Sequence, residues 1–460
     1  VTPSGVSAVA DGSQVTIGWN EVTGATVYTV CWRTSTGVST ANGNPISVSS
    51  GNSTIHSSLT NGTQYFYVVT AENPAGNSTI SSEANATPTI GPAPIGLTLT
   101  SGNSMVAAAW NAVTGSDNVT IFWSEHSNAN LTSSANNITV TGNTYVITGL
   151  TNGTSVYTAI RSNKNGSPSS LSLPLSTVPS GTGGDYLILD IGSGYSAESY
   201  PVSIANLSLT DFTGTGNLQY KTDKIALKRI PAGAFTMGSP VSEPGRFSSR
   251  ETQHPVTLTQ DYFMAVFEIT QTQWKNILNN TPSNFSGNTL PVEKVSWDDI
   301  RGGTFDGSLG GSANTISFIG QLISKTGLSF DLPSEAQWEY ACRSGTTSAF
   351  SYGSGYNSDY LWSSNNSSAQ SHEVGSKLPN PWGLFDMHGN IVEWCRDWHV
   401  NDYTTFNTDP VGPNSGSSRI VRGGNWQVDY ENARSAGRGY LSSDHSGYNI
   451  GFRLSLIPAQ

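Results

Sequence analysis

Part of this chain is written twice. Trp19-Asn20-x-Val22-Thr23-Gly24 recurs as Trp110-Asn111-x-Val113-Thr114-Gly115, Trp32 recurs as Trp123, and Leu59-Thr60-Asn61-Gly62-Thr63 recurs as Leu150-Thr151-Asn152-Gly153-Thr154, always at an offset of 91. A long exact period means two copies of one module. Within each copy, short stretches alternate apolar and polar residues, as in Val15-Ile17-Trp19 and Tyr28-Val30-Trp32, with turn residues between them. That pattern predicts a β-sandwich. The copies occupy 1–88 and 94–175. Ala86 to Ala93 joins them as a short, Pro-containing and stiff link. Ser176 to Asp185 reads as a looser link to a third unit over 186–460. In that unit, 186–228 reads as an extra strand layer.

The modules resemble fibronectin type III domains, with a Trp on the second strand, a Tyr on the third, and Leu59-x-x-Gly62-Thr63-x-Tyr65. The resemblance implies that the Tyr65 hydroxyl bonds back to the chain. The second copy has Val156 there and loses that bond. Such modules serve as spacers or adhesive units; no Arg-Gly-Asp tripeptide is present. Cys31 stands where the second copy has Phe122, which points to packing rather than redox chemistry.

Charge narrows the function. The net charge of −11 excludes a phosphate-seeking nucleic-acid binder. No apolar run reaches membrane-spanning length; Tyr262 to Ile269 is only strand-sized. The chain starts at Val1, which fits a mature form after signal removal or a cloned segment. Residues 1–178 hold only Arg33, Arg161 and Lys164 as basic groups, and their surface is built from Ser, Thr, Asn and Gly. Asn-x-Ser/Thr sequons occur at Asn52, Asn61, Asn77, Asn85, Asn118, Asn130, Asn137, Asn152 and Asn165. Either glycans solvate this half or much of it packs against neighbours. Cys342 and Cys395 pair only if the fold brings them together; otherwise they are small buried apolar residues.

In the third unit, Thr270-x-x-Gln273, Ser296-x-x-Asp299 and Ser334-x-x-Gln337 are capping boxes. They and the apolar periodicity place helices near 271–279, 314–327 and 335–343. From Arg419 to Leu454, apolar ends clamp some twenty residues rich in Gly, Ser, Asn, Asp and Tyr, the form of a binding loop displayed by a rigid scaffold. Expected contact residues are Tyr430, Arg438, Tyr440, Asp444, His445 and Tyr448, because aromatics and Arg dominate binding hot spots. Trp426 is expected to be buried.

The unit resembles the formylglycine-generating enzyme (sulfatase-modifying factor) domain, a variant of the C-type lectin fold. The resemblance rests on Arg422-Gly423-Gly424-x-Trp426, Ala433-Arg434-Ser435-Ala436-x-Arg438, Asn449-x-Gly451-Phe452-Arg453-Leu454, Leu332-Pro333-Ser334-Glu335-Ala336-Gln337-Trp338 and Gly383-Leu384-Phe385-Asp386-Met387-His388-Gly389-Asn390. The loop frame is also similar to that of proteins varied by bacterial diversity-generating retroelements. The fold class is therefore multidomain: two all-β immunoglobulin-like sandwiches, then an α+β C-type-lectin-like domain.

Enzymes of this family hold copper between two cysteines. The matching positions here are Tyr430 and Ser435, and neither supplies the soft thiolate that copper(I) needs. No copper and no catalytic residue are expected. The resemblance implies a structural calcium ion held by the Asp386 and Glu393 side chains and the Gly389 and Ile391 carbonyls, a hard oxygen set. The histidines show no metal-ligand spacing. The resulting expectation is a secreted or cell-surface, non-catalytic protein whose head binds protein or glycan. A self-associating filament subunit is the alternative, and an oxidoreductase is disfavoured.

Overall fold

A computed structural model of the 460-residue chain describes all residues except 89–92, 127–130, 132–134, 214–216, 303–315, 402–403, 406 and 457–460. The sequon at Asn130 and the centre of the link between the two modules lie outside the described residues.

Each repeat folds into two facing antiparallel sheets. In the first, Ser7–Ala10, Val15–Gly18 and Ser53–His56 form one sheet, and Asn44–Val48, Val27–Arg33 and Tyr65–Asn73 form the centre of the other. Alternation sends Val15, Ile17, Trp19, Tyr28, Val30, Tyr67 and Val69 into one shared core. Cys31 points to the opposite side of its sheet and packs on Val38, Phe66 and Val68. Phe122 makes the equivalent cluster with Leu131 and Ala159. The Tyr65 hydroxyl accepts from Thr60 N at 3.1 Å. In the second copy the equivalent amide, Thr151 N, donates instead to the Glu125 carboxylate at 2.7 Å. The donor is still satisfied where Val156 has removed the phenol.

The head is built on a six-stranded sheet and a four-stranded sheet, with few helices. All three capping boxes form, at Thr270, Ser296 and Ser334. They start helices Gln271–Leu278, Trp297–Arg301 and Glu335–Arg343. A fourth helix, Phe318–Thr326, begins at Ser317.

The N-terminal strands of the head, Tyr186–Asp190 and Val202–Ala205, extend the six-stranded sheet at its edge rather than lying over it, Tyr186–Asp190 pairing Lys224–Ile230. One sequence expectation is corrected: the link before them is not loose. Gly102 and Gly184 form a parallel bridge, Gly183 N donates to Ser180 O, and Ser180 N donates to Gly102 O. Gly184 is required by close approach: a Cβ there would lie 2.4 Å from Ala205 O. Val202–Ala205 is covered by Thr98–Gly102, Met105–Ala109 and Thr144–Thr148 of the second sandwich. One apolar core therefore runs from Met105 and Tyr145 through Leu187 and Val202 to Phe452 and Leu456. The covering also protects a sheet edge that would otherwise invite pairing. Contacts between the two sandwiches are polar: Ser13 N donates to Ser167 Oγ at 2.9 Å, and Lys164 lies 3.9 Å from Asp11.

Candidate functional site

The C-terminal loop is fixed at both ends to one strand, Val392–Trp398. Arg419–Arg422 pairs with it antiparallel, and Ile450–Gly451 pairs with it parallel. After Arg422 the chain turns through Gly423 and Gly424, both with positive φ; a Cβ on Gly424 would meet Ala433 Cα at 2.9 Å.

Buried arginines hold the loop's inner side. Arg422 donates to Glu335 Oε1 (2.8 Å), Glu339 Oε2 (2.6 Å), Ser435 O (2.8 Å) and Gly437 O (3.0 Å). Arg434 grips Glu251 with both Nη atoms (2.9 and 3.0 Å). Arg453 does the same to Glu393 through Nε (2.7 Å) and Nη2 (2.6 Å). Arg438 is likewise committed. Its Nε and Nη2 fork onto Glu335 (2.6 and 2.7 Å), its Nη1 donates to Arg250 O, and it is buried. Its expected role as a ligand contact is therefore corrected: the planar guanidinium is a strut between loop and helix.

Of the other expected contacts, Tyr440, Asp444, His445 and Tyr448 face outward. Tyr440 and Tyr448 are each 45% exposed, and Asp444 and His445 are exposed. Tyr440 stacks on His399 at 3.9 Å and lies beside Arg250, which also covers the exposed Phe247. Tyr448 packs on Trp426, which is buried as expected and meets Phe285 edge-on. A cleft of about 140 Å³ opens beside Phe247, floored by Gly423, Gly424, Gly437 and Gly439.

Half-buried Tyr430 belongs to a cluster that sequence reasoning missed. It stacks near Phe350 and meets Tyr356 edge-on at 5.6 Å; Phe350 stacks on Tyr352 at 5.1 Å, and Tyr352 on Tyr360 at 4.7 Å. Tyr352, Tyr356 and Tyr360 come from Ser351-Tyr-Gly-Ser-Gly-Tyr-Asn-Ser-Asp-Tyr360, and Tyr356 is 43% exposed. Tyr, Ser, Gly and Asn are the composition of adaptable binding loops. The same signal singled out the C-terminal loop and was available here too. Ser435 is fully buried; its Oγ accepts from the Cys342 thiol at 3.7 Å. Burial pushes Cys342 up to about 12, so it stays a thiol. His388 accepts from Ser351 N at 3.1 Å, and its Nδ1 lies 2.8 Å from Ala433 O. Burial holds this imidazole neutral, down to about 4.

The expected calcium site is a pocket of buried negative charge. Glu268, Asp386 and Glu393 are buried with Arg453 as the bonded counter-charge. Asp386 Oδ2 accepts from Gly375 N at 2.6 Å, while Oδ1 has no partner. Glu268 accepts from Asn390 Nδ2 and Ile391 N. Burial raises Glu268 well above the usual carboxylate range, helped by Asp386 and Glu393, and pushes Asp386 up to about 6. Gly389 is needed in this turn, since a Cβ would lie 1.9 Å from Trp362 O. An orphaned carboxylate oxygen amid excess negative charge fits a hard cation. Glu393 must share its oxygens with Arg453, and each oxygen has lone pairs for both. Among the described residues no group of three or more His, Cys, Asp or Glu side chains is placed to hold a metal ion; the set that the resemblance implies, Asp386 and Glu393 with the Gly389 and Ile391 carbonyls, would depend on the two carbonyls to complete it. Chelation is expected to lower the head's melting midpoint by several degrees and calcium to restore it, because loss of a ligand held at about 100 times its Kd costs about 2.7 kcal/mol. Identical calorimetric traces with and without chelator would remove the cation from this turn.

With this frame in place the family is defined. The chain belongs to the sulfatase-modifying factor enzyme 1-like domain family, whose model matches residues 219–456. It is 27% identical over 253 residues to chaperone protein LppX of Paenibacillus barcinonensis, covering 46% of this chain and 86% of that one. It is 26% identical over 279 residues to the formylglycine-generating enzyme of Mus musculus, covering 49% and 73% respectively. Among solved structures, Treponema denticola variable protein 1 aligns with TM-score 0.43 and 27% identity, over 51% of this chain and 95% of that one. The family thus contains proteins named as an enzyme and as a chaperone, and membership alone does not fix an activity.

Proposed function

We propose that this protein is a non-catalytic binding protein of the cell exterior, whose head recognises a protein or glycan through its tyrosine-bearing loops. The observation that carries the reading is the surface around Tyr430. At a position that the resemblance matches to a copper thiol of the family's enzymes, this chain has a phenol continuous with Tyr352, Tyr356 and Tyr360. The other such position, Ser435, is a buried hydroxyl. Rigid aromatics backed by a buried scaffold give contact area at low entropic cost. Protein and glycan arrays probed with the parent and with Tyr356→Ser/Tyr430→Ser test this. The parent is expected to give hits that weaken at least about tenfold in the double variant, as hot-spot aromatics do, with the head still folded by near-ultraviolet circular dichroism. Hits indifferent to both substitutions, or copper-dependent oxidation of a cysteine peptide by the pure protein, would overturn it.

A second reading, a filament or sheath subunit, draws support from the continuous core between second sandwich and head. Such a body is a building block rather than a flexible stalk. A head-to-tail contact that does not close gives a fibre. Electron microscopy across a dilution series separates the two: filaments that persist on dilution favour assembly, and single particles throughout exclude it.

A further inference from the structure

A cleft of about 380 Å³ lies where the second sandwich meets the head. Its floor is apolar: Met105 and Leu150 come from the sandwich and Phe263 from the head, all buried. Its sandwich wall is held in place. Asn103, in the hairpin turn after Thr98–Gly102, donates through Nδ2 to Asp185 Oδ1 at 3.1 Å and so ties the turn to the head. Asn152 braces the same turn: its Oδ1 accepts from Ser104 N at 2.8 Å, and its Nδ2 donates to Asn103 Oδ1 at 2.9 Å. A preformed hollow of this size between domains, apolar with a few placed polar groups, is where small ligands bind.

The polar groups of the head wall divide into those that are spent and those that are left. The carboxylate is spent. Asp261 Oδ1 accepts from Ala232 N at 2.7 Å, and its Oδ2 accepts from Arg229 Nη2. The donors are left. Arg229 is half-buried, and among the described residues its Nε and Nη1 donate to no protein group. Gln260 and, on the sandwich side, Thr148 are also half-buried cleft residues whose side chains make no hydrogen bond among the described residues. A guanidinium edge, an amide N–H and a hydroxyl can all donate, and a carboxylate only accepts. The guanidinium edge matches it with a fork of two charge-assisted bonds.

We propose that this cleft binds a small carboxylic acid with an apolar body, and that the bound acid clamps the second sandwich to the head. Its carboxylate forks onto Arg229 Nε and Nη1, and Gln260 and Thr148 donate to the same oxygens. Its carbon chain or ring covers Met105, Leu150 and Phe263. Asp261 keeps its own two bonds, so the guanidinium bridges two carboxylates. None of the residues lining the cleft belongs to the tyrosine-bearing loops, so this site is independent of the binding reading given to them.

The test is a titration of the full chain carrying 13C-methyl methionine. The chain has four methionines; Met105 lines the cleft, and Met237, Met264 and Met387 belong to a separate core. The probes are straight-chain acids from butanoate to decanoate, phenylacetate, and the amide of each. The Met105 signal is expected to move saturably with at least one acid, with a Kd of about 1 mM or tighter, while the other three signals stay. The matching amide should bind at least about tenfold more weakly, because it lacks the charge that strengthens the fork. Gln260→Glu puts a like charge beside the acid at a residue with no partner to lose, and should weaken binding at least about tenfold. Thr148→Phe fills the cleft and should abolish it. The three core methionine signals report that each variant is folded. Saturating acid should also raise the melting midpoint of the second sandwich and head and leave that of the first sandwich where it is. A Met105 signal that no acid moves overturns the proposal. So does an amide that binds as tightly as its acid, or binding that both substitutions leave unchanged.

Discussion

Arg422→Met is expected to leave the head unfolded or barely folded at neutral pH. This guanidinium is fully buried, bridges Glu335 and Glu339 of one helix, and caps two carbonyls of the C-terminal loop. Removing one partner of a buried pair costs about 3–5 kcal/mol. Here a single cation is withdrawn from two carboxylates, against a total stability of about 5–15 kcal/mol for a typical domain. The pH dependence identifies the cause. Burial pushes Glu335 and Glu339 up, but Arg438 and Arg422 outweigh it for the first, and Arg343 and Arg422 for the second. Both carboxyls end below the usual range. A depressed carboxyl contributes stability above its unfolded pKa and loses it as pH falls through the folded value. In the variant burial is less opposed, so the deficit should be largest near pH 7 and shrink towards pH 4. Urea unfolding followed by near-ultraviolet circular dichroism measures it; a deficit of the same size at both pH values would mean that lost packing, not charge, is responsible.

The sequence disclosed what is local and periodic. Thr270, Ser296 and Ser334 announced their helices because a cap and its partner lie three residues apart. The 91-residue offset disclosed both sandwiches. Long-range geometry was hidden. Arg438 looked like a contact because nothing in the local sequence says that Glu335, 103 positions away, takes its fork. The Tyr352–Tyr360 surface had a readable composition, but only folding puts Phe350 beside Tyr430. The stretch before Tyr186 read as loose because Ser and Gly serve flexible linkers and close backbone crossings equally well; here they make the crossing.

That crossing sets the second large effect. The second sandwich and the head share apolar core through Val202–Ala205, so they are expected to melt as one transition. The first sandwich, joined by exposed polar contacts such as Asp11 to Lys164, should melt separately, because surface ion pairs are worth only about 0–1 kcal/mol. Gly184→Val breaks the joint at its tightest point: the new Cβ would lie 2.4 Å from Ala205 O and 2.6 Å from its carbon, backbone atoms that cannot swing aside. Strand Val202–Ala205 must then shift, and with it the contact that Thr144 Oγ1 makes by accepting from Val202 N. Overpacking of this kind costs about 1–3 kcal/mol or more. Calorimetry should show the joint transition fall and split, leaving the first sandwich's peak where it was. A variant that still melts in one joint transition at the parent's temperature would mean that sandwich and head are held by the apolar core alone and that the glycine crossing is incidental. A fall of the first sandwich's peak as well would mean that all three units form one cooperative body, which is the property a filament subunit needs.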